Sequence, residues 1–157
     1  TMEEKAGVLQ LCSGKASGAT VPGALVARGD YAMEHPENVA KFLAVYLRAW
    51  SWMGAHRPEA LAMMRKFYAQ GGVNISDSSQ EKEFSTRPTF NLEQQLAHMN
   101  SANGPADIDK WFDNIAKFMN TSGSIQRVPA PSDYITDVYM KRVASDPKLR
   151  EFANSTN

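Results

Sequence analysis

Between residues 36 and 53 the apolar side chains Val39, Phe42, Leu43, Tyr46, Trp50 and Met53 recur at steps of three and four, the period of a single helical face. Lys41 and Arg48 fall off that stripe, and Pro36 stands where proline is best tolerated, in a first helical turn. Gly54-Ala55-His56-Arg57 interrupts the pattern, and Pro58-Glu59 opens a second helix carrying Leu61, Met64, Phe67 and Tyr68, which Gly71-Gly72 closes. The polar stretch 76–87 begins with serine and predicts a short exposed helix around 77–85. Asn91 with Gln94 has the spacing of a capping box, and Leu92, Leu96 and Met99 supply the stripe behind it. Ile108, Trp111, Phe112, Ile115 and Met119 make the clearest amphipathic helix of the C-terminal half, ending before Gly123. Ser132-Asp133 is placed to cap a helix with Ile135, Val138, Tyr139 and Val143, and Asp146-Pro147 opens a last one with Leu149 and Phe152.

Ahead of these helices the pattern changes. Residues 13–20, SGKASGAT, are small and polar and read as a loop. Pro22-Gly23 then introduces Ala24-Leu25-Val26-Ala27, a run too short for a helix and read as a buried strand. Arg28-Gly29-Asp30 ends it, with a helical turn expected from Asp30 to Met33. The predicted architecture is mainly α, with six or seven helices and one or two short strands. A lone strand must satisfy its backbone groups somewhere, so its partners are expected outside this chain.

Composition narrows the function classes. The 157 residues suit one domain with a sizeable core. Basic and acidic residues balance at 17 each, and no stretch gathers Lys and Arg, which argues against nucleic acid or an anionic membrane as partner. The longest purely apolar run, Phe42 to Leu47, is far short of the roughly 20 residues of a membrane span, so a soluble chain is expected. The first 15 residues carry no basic and apolar leader pattern. Cys12 is the single cysteine, which excludes an internal disulfide and reads as a buried small hydrophobe.

No constellation in the sequence points to catalysis. Gly14-Lys15 lacks the earlier glycine and the following hydroxyl of a phosphate loop, since Leu9 and Ala16 occupy those places. His35, His56 and His98 are dispersed, with no ligand at metal-binding spacing; the first two read as surface residues flanking helix starts. Glu3-Glu4 and Asp107 with Asp109 fall in helix-start or solvated contexts. Asn74-Ile75-Ser76, Asn120-Thr121-Ser122 and Asn154-Ser155-Thr156 match a glycosylation pattern so short that it arises by chance in Asn- and Ser-rich chains. Arg28-Gly29-Asp30 is read as a turn and cap, not an adhesion signal. Trp50 and Trp111 fit buried stripes, whereas Trp52 lies off its stripe and implies a second contact surface.

The run VPGALVARGDYAMEHPENVAKFLAVYLRAW resembles a stretch of the substrate-binding proteins of ABC importers for nitrate, sulfonates and taurine, a group that includes binders of thiamine-pyrimidine precursors. Tyr31, His35-Pro36-Glu37, Val39, Phe42-Leu43, Tyr46 and Trp50 carry the resemblance. RPEALAMMRKFY and PSDYITDVYMKRVASDPKLREF extend it over nearly all of the chain. Such proteins are about twice as long, with two α/β lobes of the type 2 periplasmic-binding-protein fold, so the resemblance implies a C-terminal part. Residues 1–27 would be the end of lobe two and a hinge strand, residues 28–157 the helical C-terminal portion, and the N-terminal lobe would be absent. The implied function is extracytoplasmic, in a periplasm. A small anion or organic solute of the nitrate, sulfonate or taurine class is captured by lobe closure and delivered to a membrane permease, without enzymatic chemistry or a cofactor.

The resemblance places only the loop Ala19-Thr20-Val21-Pro22-Gly23 near a ligand. There Thr20, Val21, Pro22 and Gly23 are the candidate binding residues, through backbone amides and the Thr20 hydroxyl. An alternative is an independent helical interaction module with an exposed aromatic face. A further one, the pyrimidine-synthesising enzymes of the same superfamily, requires a cysteine-rich motif that Cys12 alone does not supply. The orphan strand and Trp52 together predict that the chain pairs, either with a lobe or with a second copy by strand exchange.

Overall fold

The structure, a computed structural model, describes residues 7–9, 11–14, 16, 19–87 and 89–157; the Glu3-Glu4 pair and Lys15 lie outside them. The helices are α1 (Gly29–Glu34), α2 (Pro36–Ala55), α3 (Arg57–Gln70), α4 (Asp77–Thr86), α5 (Leu92–His98), α6 (Asp107–Thr121), α7 (Val138–Ser145) and α8 (Pro147–Asn154), with a 3-10 turn at Pro131–Asp133. The mainly α expectation therefore holds, and every helix among the described residues falls after residue 28.

Local chemistry sets most of the boundaries. Pro36, Pro58 and Pro147 occupy first turns, where no backbone donor is lost. Ser76 accepts a hydrogen bond from the Ser79 amide at 3.2 Å to start α4. Asn91 and Gln94 form the reciprocal capping box of α5, at 2.9 and 3.0 Å. Asp146 accepts from the amides of Lys148 and Leu149 to start α8. Gly72 and Gly123, with φ of 73° and 76°, take the left-handed conformation after α3 and α6.

The core lies between α2, α7 and α8, with α5 closing one side. Ala40, Ala44, Leu47, Leu92, Val143 and Ala153 are buried together, and Leu43, Leu96, Met140, Ala144 and Leu149 pack around them. Alanines at 40, 44 and 153 put no bulk between the axes of α2 and α8, which allows close approach. Polar contacts lock the same pair of helices. Ser51 Oγ donates to the Ala153 carbonyl at 3.2 Å, Arg48 donates to the Asn157 carbonyl at 2.7 Å, and the Arg48 guanidinium lies 4.5 Å from the Phe152 ring centre. Glu37 pairs with Arg142, and Glu93 with Arg150 at 3.1 Å.

Two smaller assemblies flank this core. In the α3–α4 hairpin, Gln80 is buried, donating to the Leu61 carbonyl at 2.7 Å. Tyr68 donates to Glu83 at 2.8 Å nearby, and that hydrogen bond holds the Tyr68 hydroxyl above the usual phenol range. In the other, α6 packs on the 3-10 turn, with the Phe112 and Tyr134 rings edge to face at 5.9 Å.

Four expectations need correction. No strand occurs among the described residues, and Ala24–Ala27 runs exposed, without helix or strand. A strand exists only when a neighbour completes its ladder, and none of the described residues takes that place. Phe42, placed on the apolar face of its helix, and Phe67, one of the apolar residues carried by the second helix, are 59% and 72% exposed. In α2 the packed face is instead Ala40, Ala44 and Leu47, because a helix apolar on most sides does not identify its inner face by period alone. Cys12 is exposed rather than buried, since it sits in the non-helical stretch ahead of the core. The helix expected from Ser132-Asp133 begins only at Val138. The 3-10 turn ends at Tyr134, whose φ of −141° leaves the helical region, and the Thr136 hydroxyl accepts from the Val138 amide at 3.3 Å to start α7.

Candidate functional site

The residues predicted for ligand contact, Thr20, Val21, Pro22 and Gly23, lie on the extended approach to α1. Thr20, Val21 and Gly23 are exposed and Pro22 is half-buried. The segment continues through Leu25 and Val26, which is 94% exposed, to Arg28, the residue before α1. Among the described residues, the backbone groups of 20–27 find no hydrogen-bond partner. These amides and carbonyls are therefore free to pair with an incoming chain or ligand. The four lie consecutively along this extended stretch.

The junction that follows is ordered by charge. Arg28 pairs with Asp30, whose carboxylate also accepts from the Tyr31 amide at 2.8 Å. The guanidinium first, and that amide second, hold the Asp30 carboxyl below the usual carboxylate range. The tripeptide Arg28-Gly29-Asp30 thus closes on itself as the first turn of α1. Tyr31 lies 4.7 Å from His35, centre to centre, and its hydroxyl accepts from Asn38 at 3.3 Å, which ties α1 to the first turn of α2.

A second cluster, which no sequence motif announces, joins α5 to α6. His98 lies between the rings of Phe90 and Trp111, at 4.5 and 5.0 Å, with Nδ1 at 3.3 Å from Asp107. Lys110 reaches the same carboxylate at 3.3 Å. Lys110 and then His98 hold the Asp107 carboxyl below its ordinary value. The legible signal was the helix-end position of His98 and the acidic opening of α6; their meeting depends on the path of the 99–106 loop. Tyr134 shows the opposite sense: burial, then Asp113, Asp109 and Asp133, push its hydroxyl above the usual phenol range.

Trp52, expected to mark a second surface, stacks on His56 at 4.7 Å with rings 13° apart. His56 in turn donates from Nδ1 to the Trp52 carbonyl at 3.1 Å, so this pair finishes α2. Two shallow depressions at the turn between α7 and α8 share Ser145 and Pro147 in their linings; both are open to solvent and neither has the enclosure of a ligand site. Among the described residues no three His, Cys, Asp or Glu side chains are placed to hold a metal ion, and no helix is long and apolar enough to cross a membrane.

Comparison with known protein families, with curated proteins and with solved structures found no match.

Proposed function

We propose that the chain is the helical C-terminal portion of a two-lobe solute-binding protein serving an ABC importer. It helps capture a small anion or organic solute of the nitrate, sulfonate or taurine class and presents it to a membrane permease on the extracytoplasmic side. The observation that supports this reading is an uncovered surface. An apolar run with unpartnered backbone leads through α1 to α2, which buries Ala40, Ala44 and Leu47 while leaving Phe42 and Val45 on its other side exposed. Such a helix belongs between two layers, and an α/β lobe supplies the missing layer: a sheet edge for residues 24–27 and a face for the outer side of α2.

Exposed apolar side chains support the same reading: Leu25, Met33, Phe42, Val45, Met63 and Phe67 are each at least 50% exposed. In this reading Thr20 to Gly23 form the rim of the cleft, where backbone amides meet the anion, and the protein binds without transforming its ligand.

The test joins residues 1–157 to a complementary α/β lobe and titrates nitrate, taurine and an alkanesulfonate while tryptophan fluorescence is followed. The expected outcome is a saturable response to one solute class, weakened several-fold by Thr20→Ala. A folded two-lobe protein that responds to none of the three would overturn the proposal.

A further inference from the structure

We infer that His98 is a pH-sensitive latch, which on taking up a proton draws α6 onto the end of α5. This goes beyond the solute-binding reading and does not depend on it. α6 has few other holds on the molecule: among the described residues it packs mainly on the 3-10 turn at Pro131–Asp133, and Ala116 is its one buried residue. His98 is placed to supply the missing hold. It is the last residue of α5, and its ring lies 4.5 Å from that of Phe90, just ahead of that helix, and 5.0 Å from that of Trp111 in α6. Its Nδ1 stands 3.3 Å from a carboxylate oxygen of Asp107, in the first turn of α6.

A neutral imidazole in this setting offers Asp107 one hydrogen bond. An imidazolium adds attraction to the carboxylate, to two aromatic rings within about 6 Å, and to the carbonyl end of α5. The surrounding charges leave room for it. Lys110 is the competing cation, but its Nζ takes the other oxygen of Asp107, at 3.3 Å, and its side chain is 57% exposed, where water and salt screen it. Asp109 accepts from the Ala106 amide at 3.2 Å. Glu93 of α5 is engaged by Arg150 of α8, and on α7, which also packs against α5, Lys141 and Arg142 are paired with Asp137 and Glu37. Because the folded arrangement favours the charged ring, its contribution is present on the acid side of the imidazole range and fades as pH rises through that range. The latch also needs Asp107 ionised, so it is lost again below about pH 4.

Hydrogen exchange of the α6 amides in the 157-residue chain, read as protection factors at about pH 7.5 and 5.5 with α2 as internal reference, tests the inference. The expected result is a gain of about threefold in α6 at the lower pH, the scale of a partly exposed ion pair, with α2 unchanged. His98→Gln, which keeps a hydrogen-bonding side chain but takes up no proton, should leave α6 protection level between the two conditions. Lys110→Ala removes the competing cation from an exposed position and should enlarge the response. Protection in α6 that stays constant or falls at the lower pH in the parent chain would overturn the inference, as would a gain that His98→Gln retains or that Lys110→Ala diminishes.

Discussion

Leu47 and Phe42 sit five residues apart on one helix and are opposites in burial, at 1% and 59% exposed. Leu47→Ala removes contacts with the packed layer of Ala44, Val143 and Ala153 and should cost about 2–5 kcal/mol, the range for a cavity in a close-packed core. Phe42→Ala removes a side chain that already meets water and should change monomer stability by less than about 1 kcal/mol. Urea unfolding of both variants, at concentrations where the chain is monomeric, checks the contrast. Equal losses would mean that the outer face is packed after all. The pair also shows where the sequence was silent. Periodicity selected the large residues, Phe42 among them, whereas burial followed the small ones, because alanines permit the closest approach of α8. A single chain records that a helix has apolar positions; which of two apolar sides is inward depends on the shape of the helix that meets it.

At the scale of elements, the starts that depend on a local hydrogen bond were legible and those that depend on a distant partner were not. Ser76, Asn91 and Asp146 each satisfy amides within three residues, so their helices could be placed from a few letters. Asn91→Ala should therefore lower stability by about 1 kcal/mol. Its effect should appear as faster amide exchange in α5, with α7 and α8 following only to the extent that Leu92 and Leu96 loosen; an unchanged unfolding midpoint would show that the capping box is redundant. The run 24–27 is the contrary case. Its composition is that of a strand, yet a strand is a relation between two segments, and the second is not among the described residues. Thr20, Val21, Pro22 and Gly23 share this dependence: their order along the chain is evident, but a binding site also needs groups that sequence order alone does not place.

For the whole molecule, the contacts divide unequally. The α2, α7 and α8 layer is tied by a buried cluster and by ion pairs between residues far apart in sequence, whereas α6 rests mainly on a 3-10 turn and on the His98 clasp. Local opening draws on regions with few buried apolar contacts. At neutral pH, α6 amides should therefore exchange at least tenfold faster than those of α2. Acid should widen that gap. The Asp107 carboxyl is held low by Lys110 and His98, so its contribution is fully present above the unfolded carboxylate value of about 4 and is lost as pH falls through the lower, folded value. Trp111, which touches His98 directly, should report this detachment as a fluorescence change below about pH 4 that precedes loss of helical signal from the core, and Asp107→Asn should show the loosened state already at neutral pH. Simultaneous loss of the tryptophan and helical signals in acid, with the variant indistinguishable from the parent, would instead make α6 an integral part of one cooperative unit.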